Sequence, residues 1–484
     1  MKIDRRRFLK TTGKVVSVGA ATFALGGTVL GANDRVRVAV VGTRGRGKDH
    51  IRGLAKVPGT EIAALCDIDE RVLNQRLKDV EDLGLKRPRG FGDIRKLLED
   101  KEIDAITIAT PNHWHSLMAI WACQAGKDVY VEKPCSHDPY EGRQLVRAVK
   151  KYKRICQHGS QSRSNPGMIE AMQKLRDGTI GDVYLARALC YKWRGTIGHA
   201  TAEPAPAGVN YDLWTGPAPL KPFTKNRFHY NWHWIWDTGN GEIGNQAIHE
   251  LDIARWGLGV GFPTMVSAMG GHFMFDDDQE TPNVLNATYY FDGADGKRKM
   301  MELEVRPWIT NHEAEIGSGA YKSAGIPAAG LATSASAAAP APAPATPRAA
   351  DPLAGIGPVG PVDAKTNTVG NLFYGSNGYM GIDGYDAYRT WLTPNTTPGP
   401  SASSSGDHFA NFIECVRSRK TEDIHCPIEE GHISTTLVHL ANVSYRLGRV
   451  LRFDPVKEQV INDAEANRLL KGNYRAPYVV PDDV

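Results

Sequence analysis

Cysteine is scarce in this 484-residue chain, and what there is stands apart. The seven cysteines occupy 66, 123, 135, 156, 190, 415 and 426, with no C-x-x-C pair. An odd, scattered set encodes neither a disulfide framework nor a thiolate cluster, and in apolar runs these residues read as small buried hydrophobes. No H-E-x-x-H and no Cys/His cluster is present, and His113 and His115, two apart after a turn, are poorly placed to share an ion. No metal is therefore assigned. A membrane span is missing too: the apolar run from Val15 to Leu30 is short and glycine-rich. The chain also lacks a basic surplus of its own. Residues 1–32 carry six Lys/Arg against one Asp, more than the whole net charge of +4. The remainder is close to neutral, which argues against a nucleic-acid partner.

Those first residues read as a targeting segment. Asp4-Arg5-Arg6-Arg7-Phe8-Leu9-Lys10, followed by the weakly apolar run and small residues near Ala32, looks like a twin-arginine export signal. It implies a periplasmic protein with no stable membrane span once residues 1–32 are removed. Export by that route moves folded proteins, so disulfides are not required in the destination.

What the chain has in quantity is alternating strand and helix pattern. Arg35 to Val41 is a strand ending at Gly42, and Gly42-Thr43-Arg44-Gly45-Arg46-Gly47 opens a helix through His50 and Leu54. A second strand, Glu61 to Cys66, ends at Asp67. Glycines there let the backbone approach a pyrophosphate, the helix N-terminus offers free N–H groups, and an acid in the place of Asp67 binds ribose hydroxyls. The middle glycine of the strict G-x-G-x-x-G is replaced by Arg44. The pattern repeats through a helix at Asp93 to Leu98, a strand at Asp104 to Ala109, a helix at Ser116 to Ala125, a strand at Asp128 to Val131, a helix at Pro139 to Tyr152 and a short strand at Arg154 to His158. A doubly wound parallel sheet over residues 33–158 follows.

Two of these strands end in polar turns, Ala109-Thr110-Pro111-Asn112-His113-Trp114-His115 and Glu132-Lys133-Pro134. The C-terminal edge of such a sheet is where ligands bind. On these segments the chain resembles the Gfo/Idh/MocA family of NAD(P)-dependent sugar and cyclitol oxidoreductases. The resemblance implies that Lys133 reaches the reacting carbon. It also places Thr110, Pro111, Asn112, His115, Glu132 and Gln161 beside the nicotinamide, with Gly42, Thr43, Arg44, Gly45, Arg46, Gly47 and Asp67 holding the rest of the cofactor. Asp67 favours NAD, with NADP left open by the nearby Arg71.

Beyond residue 158 the pattern changes. Longer strands at Val183 to Tyr191, Thr264 to Gly271, Asn283 to Phe291 and Lys299 to Val305 suggest a second α/β domain, 159–315 and 371–455, with a mostly antiparallel open sheet. The stretch 316–370 is low in complexity and reads as an insertion that buries little. Helices are expected at Asp407 to Arg417 and Ile428 to Leu447, and 456–484 reads as an extended tail.

The segment from Gly239 to Trp256 enters a helix on which Asn245, His249 and Asp252 share one face at α-helical spacing. In the family this helix carries an Asp and, four residues later, a His. Here the Asp position is Asn245, which keeps hydrogen bonding but is no base. His249 is then the expected general acid/base beside Lys133, Asn245 a substrate-hydroxyl ligand, and Asp252 structural, paired with Arg255 or an amide. Tyr191, Lys192, Arg194, Trp232 and His233 belong to unusually aromatic segments that suit a carbohydrate: indoles stack on sugar faces while polar side chains bond hydroxyls. The loop Tyr211 to Pro219 is read as structural.

The sequence thus points to NAD(P)-dependent oxidation or reduction of a sugar, glycoside or cyclitol hydroxyl by a homo-oligomer. Its rival is a redox-neutral, NAD-dependent glycosidase or glycoside lyase working through a transient 3-keto sugar, which an exported enzyme without a free cofactor pool would suit. A non-enzymatic sugar- or nucleotide-binding protein is disfavoured by the intact Glu132-Lys133-Pro134 and His249.

Overall fold

The computed structural model describes residues 35–293, 296–307, 310–321, 367–394 and 396–484. The twin-arginine segment and most of the low-complexity stretch lie outside the described residues. Among the described residues no helix is long and apolar enough to cross a membrane, and all seven cysteines are buried and free.

The first sheet is built from short runs buried on both faces, as parallel strands covered by helices must be. In chain order the elements are β1 (Val36–Val41), α1 (Arg46–Leu54), β2 (Thr60–Cys66), α2 (Glu70–Asp82), β3 (Arg89–Phe91), α3 (Ile94–Leu98), β4 (Ala105–Ile108), α4 (Asn112–Gln124), β5 (Asp128–Val131), α5 (Pro139–Tyr152) and β6 (Cys156–His158). All neighbours are parallel in the order β3-β2-β1-β4-β5-β6. The order reverses between β1 and β4, the switch point at which this architecture opens a crevice. Caps agree with the helix starts: Asp69, Asp93 and Asp138 each accept hydrogen bonds from first-turn N–H groups.

After α6 (Pro166–Arg176), β7 (Val183–Tyr191), α7 (Tyr211–Thr215) and α8 (Ile248–Leu258) come β8 (Met265–Gly271), β9 (Val284–Asp292), β10 (Arg298–Arg306), β11 (Thr368–Gly375), β12 (Gly378–Asp383), β13 (Ala387–Leu392) and β14 (Thr397–Ser403). The chain ends through α9 (His408–Ser418), α10 (Ile428–Leu447), β15 (Leu451–Asp454), β16 (Gln459–Val460) and α11 (Ala464–Arg468). The second sheet runs β14-β13-β12-β11-β7-β10-β9-β8-β15-β16. It is antiparallel except where β7 meets β10. One face packs Ala186, Ala188, Leu285, Tyr289 and Leu303 against α6, α8 and α10. The alternating burial of β9 is that of a sheet covered on one side.

Three boundaries differ from the sequence reading. Helix α9 covers the first sheet, not the second: Phe409, Phe412 and Ile413 pack on Val38, Val40, Ile51 and Leu54. An amphipathic stripe specifies that a face is buried but not against which sheet. The tail is not loose, since Tyr478, Val480 and Val484 join the core under α4 and α5, and Gly472 and Tyr474 bond Asp138. The described edges of the insertion pack into the second domain more than the reading of 316–370 implied. Ile316 and Tyr321 are buried with Leu189, Tyr191, Leu372 and Ala387, and β11 begins at Thr368.

Candidate active site

The loop after β1 is shaped by sterics. Gly42 has φ +77°, and a Cβ there would lie 2.8 Å from the Ala109 carbonyl oxygen. A Cβ on Gly47 would overlap the Gly42 carbonyl oxygen, whereas one on Gly45 would meet nothing. Gly45 therefore leaves open space at the start of α1, whose first N–H groups have no side-chain cap. At the end of β2 the Asp67 carboxylate accepts from Thr43 N (2.7 Å), Thr43 Oγ1 (3.1 Å) and Asp69 N (3.1 Å). Burial raises its pKa against the pull of those bonds. Arg71, the reservation about NADP, is bonded to Asp69 at 3.2 Å.

Glu132, at the end of β5, ties this loop to the next turn. Its Oε1 accepts from Arg46 Nε (2.7 Å) and Gln161 Nε2 (3.2 Å) and lies 3.0 Å from His50 Nε2. Burial pushes the carboxyl up, but Arg46 and His50 outweigh it and hold the group well below the usual carboxylate range. His115 clamps the two turns, with Nδ1 2.6 Å from the Pro134 carbonyl and Nε2 2.8 Å from that of Thr110.

The second domain contributes the facing wall. Ile243–Ala247 forms a π-helical turn before α8, the local irregularity that recurs at functional sites. It presents the Asn245 carbonyl to the Lys133 ammonium, which donates to it. Burial lowers the Lys133 pKa to about 8. The Asn245 amide donates to Glu242 Oε2 (3.1 Å) and the Tyr230 hydroxyl (3.2 Å). Glu242 is paired in turn with Arg194 at 2.9 and 3.0 Å.

These pieces enclose a cleft of about 320 Å³. At one end Asp67 stands among Ile68, Val72 and Ile94; at the other lie Lys133, Asn245, Trp232 and His233. Apolar flanks beside an acid at the end of β2, an open glycine at a helix start and a half-buried lysine at the far end fit a dinucleotide in its extended form.

Of the residues proposed from sequence, Gly42, Arg44, Gly45, Arg46, Asp67, Thr110, Pro111, Asn112, His115, Glu132, Lys133, Trp232, His233 and Asn245 line this cleft. Thr43, Gly47 and Gln161 stand behind it, holding Asp67, the turn and Glu132.

Four residues expected at the site stand elsewhere. Tyr191 is fully buried, its hydroxyl donating to Glu304 (2.7 Å) and Glu313 (3.1 Å). Strand alternation puts it with Leu189 on the face opposite Ala188 and Cys190. Lys192 and Arg194 lie one layer out, bound to Gln246 (2.6 Å) and Glu242. His249 is not in the cleft wall; its ring packs 4.9 Å from that of Tyr385. Burial and then Lys133 hold it well below the ordinary histidine value, so it is neutral at pH 7. The π-turn breaks the α-helical register from which a shared face was inferred. Asp252 pairs with Arg163 (2.8 and 2.9 Å) and Ser434 (2.6 Å), not Arg255.

The sequence reading missed Tyr230, Glu242, Phe228 and His229. It also gave no site role to the 211–219 loop, whose Leu213 and Trp214 line the cleft. One signal was available: Glu242 sits in a Gly-Glu step after an Asn-Gly turn, an unusual place for an acid unless it has a partner.

Fold and site together define a dinucleotide-binding protein of the Rossmann class. One family model, described as "Oxidoreductase family, NAD-binding Rossmann fold", matches residues 36–160. Another, "Oxidoreductase family, C-terminal alpha/beta domain", matches 182–268 and 395–480. The chain belongs to the Gfo/Idh/MocA oxidoreductase family. A "Glycosyl hydrolase family 109 protein" from Shewanella pealeana is 29% identical over 204 residues, 38% of this chain and 45% of that protein. Its namesake from Saccharopolyspora erythraea is 30% identical over 161 residues, 32% of this chain and 35% of that protein. The chain thus spans less than half the length of these curated relatives. Among solved structures, the aldose-aldose oxidoreductase of Caulobacter crescentus complexed with glycerol matches with a TM-score of 0.57 at 18% identity, covering 87% of this chain and 100% of that one. The WlbA dehydrogenase of Bordetella pertussis, in complex with NADH and UDP-GlcNAcA, matches at 0.58 and 17%, covering 87% and 98%. At these identities the likeness is one of fold.

Proposed function

We propose that the protein moves hydride between NAD and a hydroxyl-bearing carbon of a carbohydrate, with Lys133 as the proton acceptor. The observation that carries this is the half-buried Lys133 in the cleft wall, anchored on the Asn245 carbonyl with its pKa lowered to about 8. Bound NAD supplies the hydride acceptor. An alcohol surrenders hydride only as its proton leaves, and an amine titrating near the working pH suits that transfer. Glu132, saturated by Arg46, His50 and Gln161, stays ionised and fixes the strand end that carries the lysine. Asn245, held by Glu242 and Tyr230, and His233, in the cleft wall, are the ligands for substrate hydroxyls. His249 stands behind them as a neutral support. The Trp232 ring, stacked on His233 with centroids 3.6 Å apart, offers an aromatic face to a pyranose.

A second reading has support of its own. The curated relatives carry the name of a glycosyl hydrolase family, and the twin-arginine-like segment argues for a periplasmic enzyme that keeps its cofactor and needs no external acceptor. In that reading the same lysine would serve a transient C3 oxidation with NAD bound; the C2 proton, made acidic, leaves with the aglycone, water then adds at C1 with a solvent proton at C2, and the C3 ketone is reduced again. Aryl glycosides offered without added NAD separate the two. Aglycone release over many turnovers, with solvent deuterium at C2, establishes cleavage. Stoichiometric cofactor reduction and a keto-sugar product establish net oxidation. Loss of either activity in Lys133→Ala tests the shared site, and denaturing the purified protein tests whether NAD is carried.

A further inference from the structure

A second cavity, of about 250 Å³, lies on the other side of the loop that walls the cleft. The two share their partition. Trp232 and His233 line the first and Trp236, Asp237 and Asn240 the second. On α4, Asn112 and Trp114 face the first and His113 the second. The His113 ring nitrogens lie 3.3 Å from the Thr238 carbonyl and 3.0 Å from that of Trp214, tying helix to loop.

The lining of this cavity has a polar floor and a basic rim. Asn240 and Asn442 are each 5% exposed. Their amide nitrogens are used, by the His137 carbonyl (3.1 Å) and the Asn240 carbonyl (2.9 Å). Their side-chain oxygens have no partner among the described residues. Buried acceptors in that condition call for O–H donors. The acidic groups are already answered. Asp237 is paired with Lys221 (2.5 Å) and Arg227 (3.4 Å). Asp138 accepts from the Tyr474 hydroxyl (2.8 Å), Gly472 N (2.9 Å) and Glu141 N (3.0 Å), and burial pushes Glu141 well above the usual carboxylate range. Lys471 is bonded to Asp482 at 2.9 Å. Arg446, lying over the Trp236 ring at 5.2 Å, and Arg468 have no carboxylate partner among the described residues. Neither guanidinium at the mouth has a carboxylate within ion-pair distance among the described residues, since Glu280, which acts on Arg446 from further off, is bonded to Arg227 at 3.1 Å, and the floor lacks hydroxyl donors.

We propose that this cavity is a binding site, separate from the catalytic cleft, for a small hydroxylated anion, whose hydroxyls meet Asn240 and Asn442 and whose carboxylate or phosphate meets Arg446 and Arg468. Guanidinium forks match both head groups. Occupancy would also brace the 232–240 segment from behind, on the side away from the substrate.

The test is calorimetric titration of the full chain, saturated with NAD so that the anion-binding start of α1 is filled. D-gluconate, glucose 6-phosphate and neutral sorbitol are the probes. Binding of gluconate alone identifies a carboxylate ligand, and of glucose 6-phosphate alone a phosphate ligand. Arg446→Gln with Arg468→Gln should weaken the bound anion at least tenfold, about 1.4 kcal/mol, with NAD affinity unchanged. Arg468→Gln alone, on an exposed side chain at the end of a short helix, should give a smaller loss in a protein of unaltered melting temperature. The proposal fails if neither anion binds, if sorbitol binds as well as they do, or if the double variant binds them undiminished.

Discussion

The two walls of the cleft are fixed by different physics. On the Rossmann side, backbone fills the space: Gly42 and Gly47 sit where any Cβ collides with main chain, so the cradle's shape is a property of sterics. On the other side the wall is held by side chains in series, Arg194 to Glu242 to Asn245 to Tyr230, around a π-turn. The first wall cannot vary without breaking. The second can exchange one polar group for another and remain a wall, as a surface that selects among substrates must. Lys133 bridges them, rooted in the first and resting on the second.

The largest effect is expected at that bridge. Lys133→Ala should cut kcat by roughly 10²–10⁴-fold while thermal stability and NAD affinity, read by calorimetry, stay near wild type. If kcat is retained, the lysine is not the proton acceptor.

Next comes the steric wall. Gly47→Ala must displace the Gly42 carbonyl, so NAD affinity should fall by about tenfold or more, with a stability loss of about 1–3 kcal/mol in denaturant unfolding. The matching change at the open position, Gly45→Ala, should leave stability within about 0.5 kcal/mol. Equal losses at both would erase the distinction.

For pH, the neutral amine is the working base and predominates above its pKa of about 8. Oxidation should therefore rise roughly tenfold per unit on approaching pH 8 from below and level off above it. A profile flat from pH 6 to 9, measured as kcat, would mean that chemistry is not limiting or that Lys133 is not titrating.

The side-chain wall should respond more gently. Asn245→Asp keeps the contact with Tyr230 but sets a carboxylate beside Glu242 and Lys133. It should change KM by several-fold and shift the kcat profile to higher pH, because the added negative charge favours the protonated lysine. The smallest effect is reserved for the stretch outside the described residues. Deleting Ser323 to Pro361, an Ala/Pro/Ser-rich segment, should leave the melting temperature and turnover unchanged.

How much could be read from the chain follows the same division. The first sheet, its glycine loop and its two polar turns were legible, because strands buried on both faces and glycines at collision points leave local marks in sequence. On the other wall, alternation would have separated Tyr191 from a site on the face of Cys190, but the aromatic neighbourhood of Tyr191 drew it into the reading of a sugar site. The displacement of His249 had no such signal: a π-turn inserts its extra residue without a sequence signature, and the spacing was read as regular α-helix. Nor could the partner of Asp252 be found, since Arg163 lies 89 positions away. Where α9 and the tail pack was not legible for another reason: an apolar stripe or a few apolar residues mark burial without naming the surface that buries them.

That last feature bears on how the molecule comes into being. The sheet made first from the ribosome keeps Val38, Val40, Ile51 and Leu54 uncovered until residues 408–418 arrive, and the apolar side of α4 and α5 waits for Tyr478, Val480 and Val484. Synthesis runs from one end, yet the sheet made early is finished by segments made long after it. The nucleotide cradle is therefore not a detachable module. Expressed as residues 35–160, it would present two uncovered apolar faces to water and aggregate, and its assembly in the whole chain waits for those later segments.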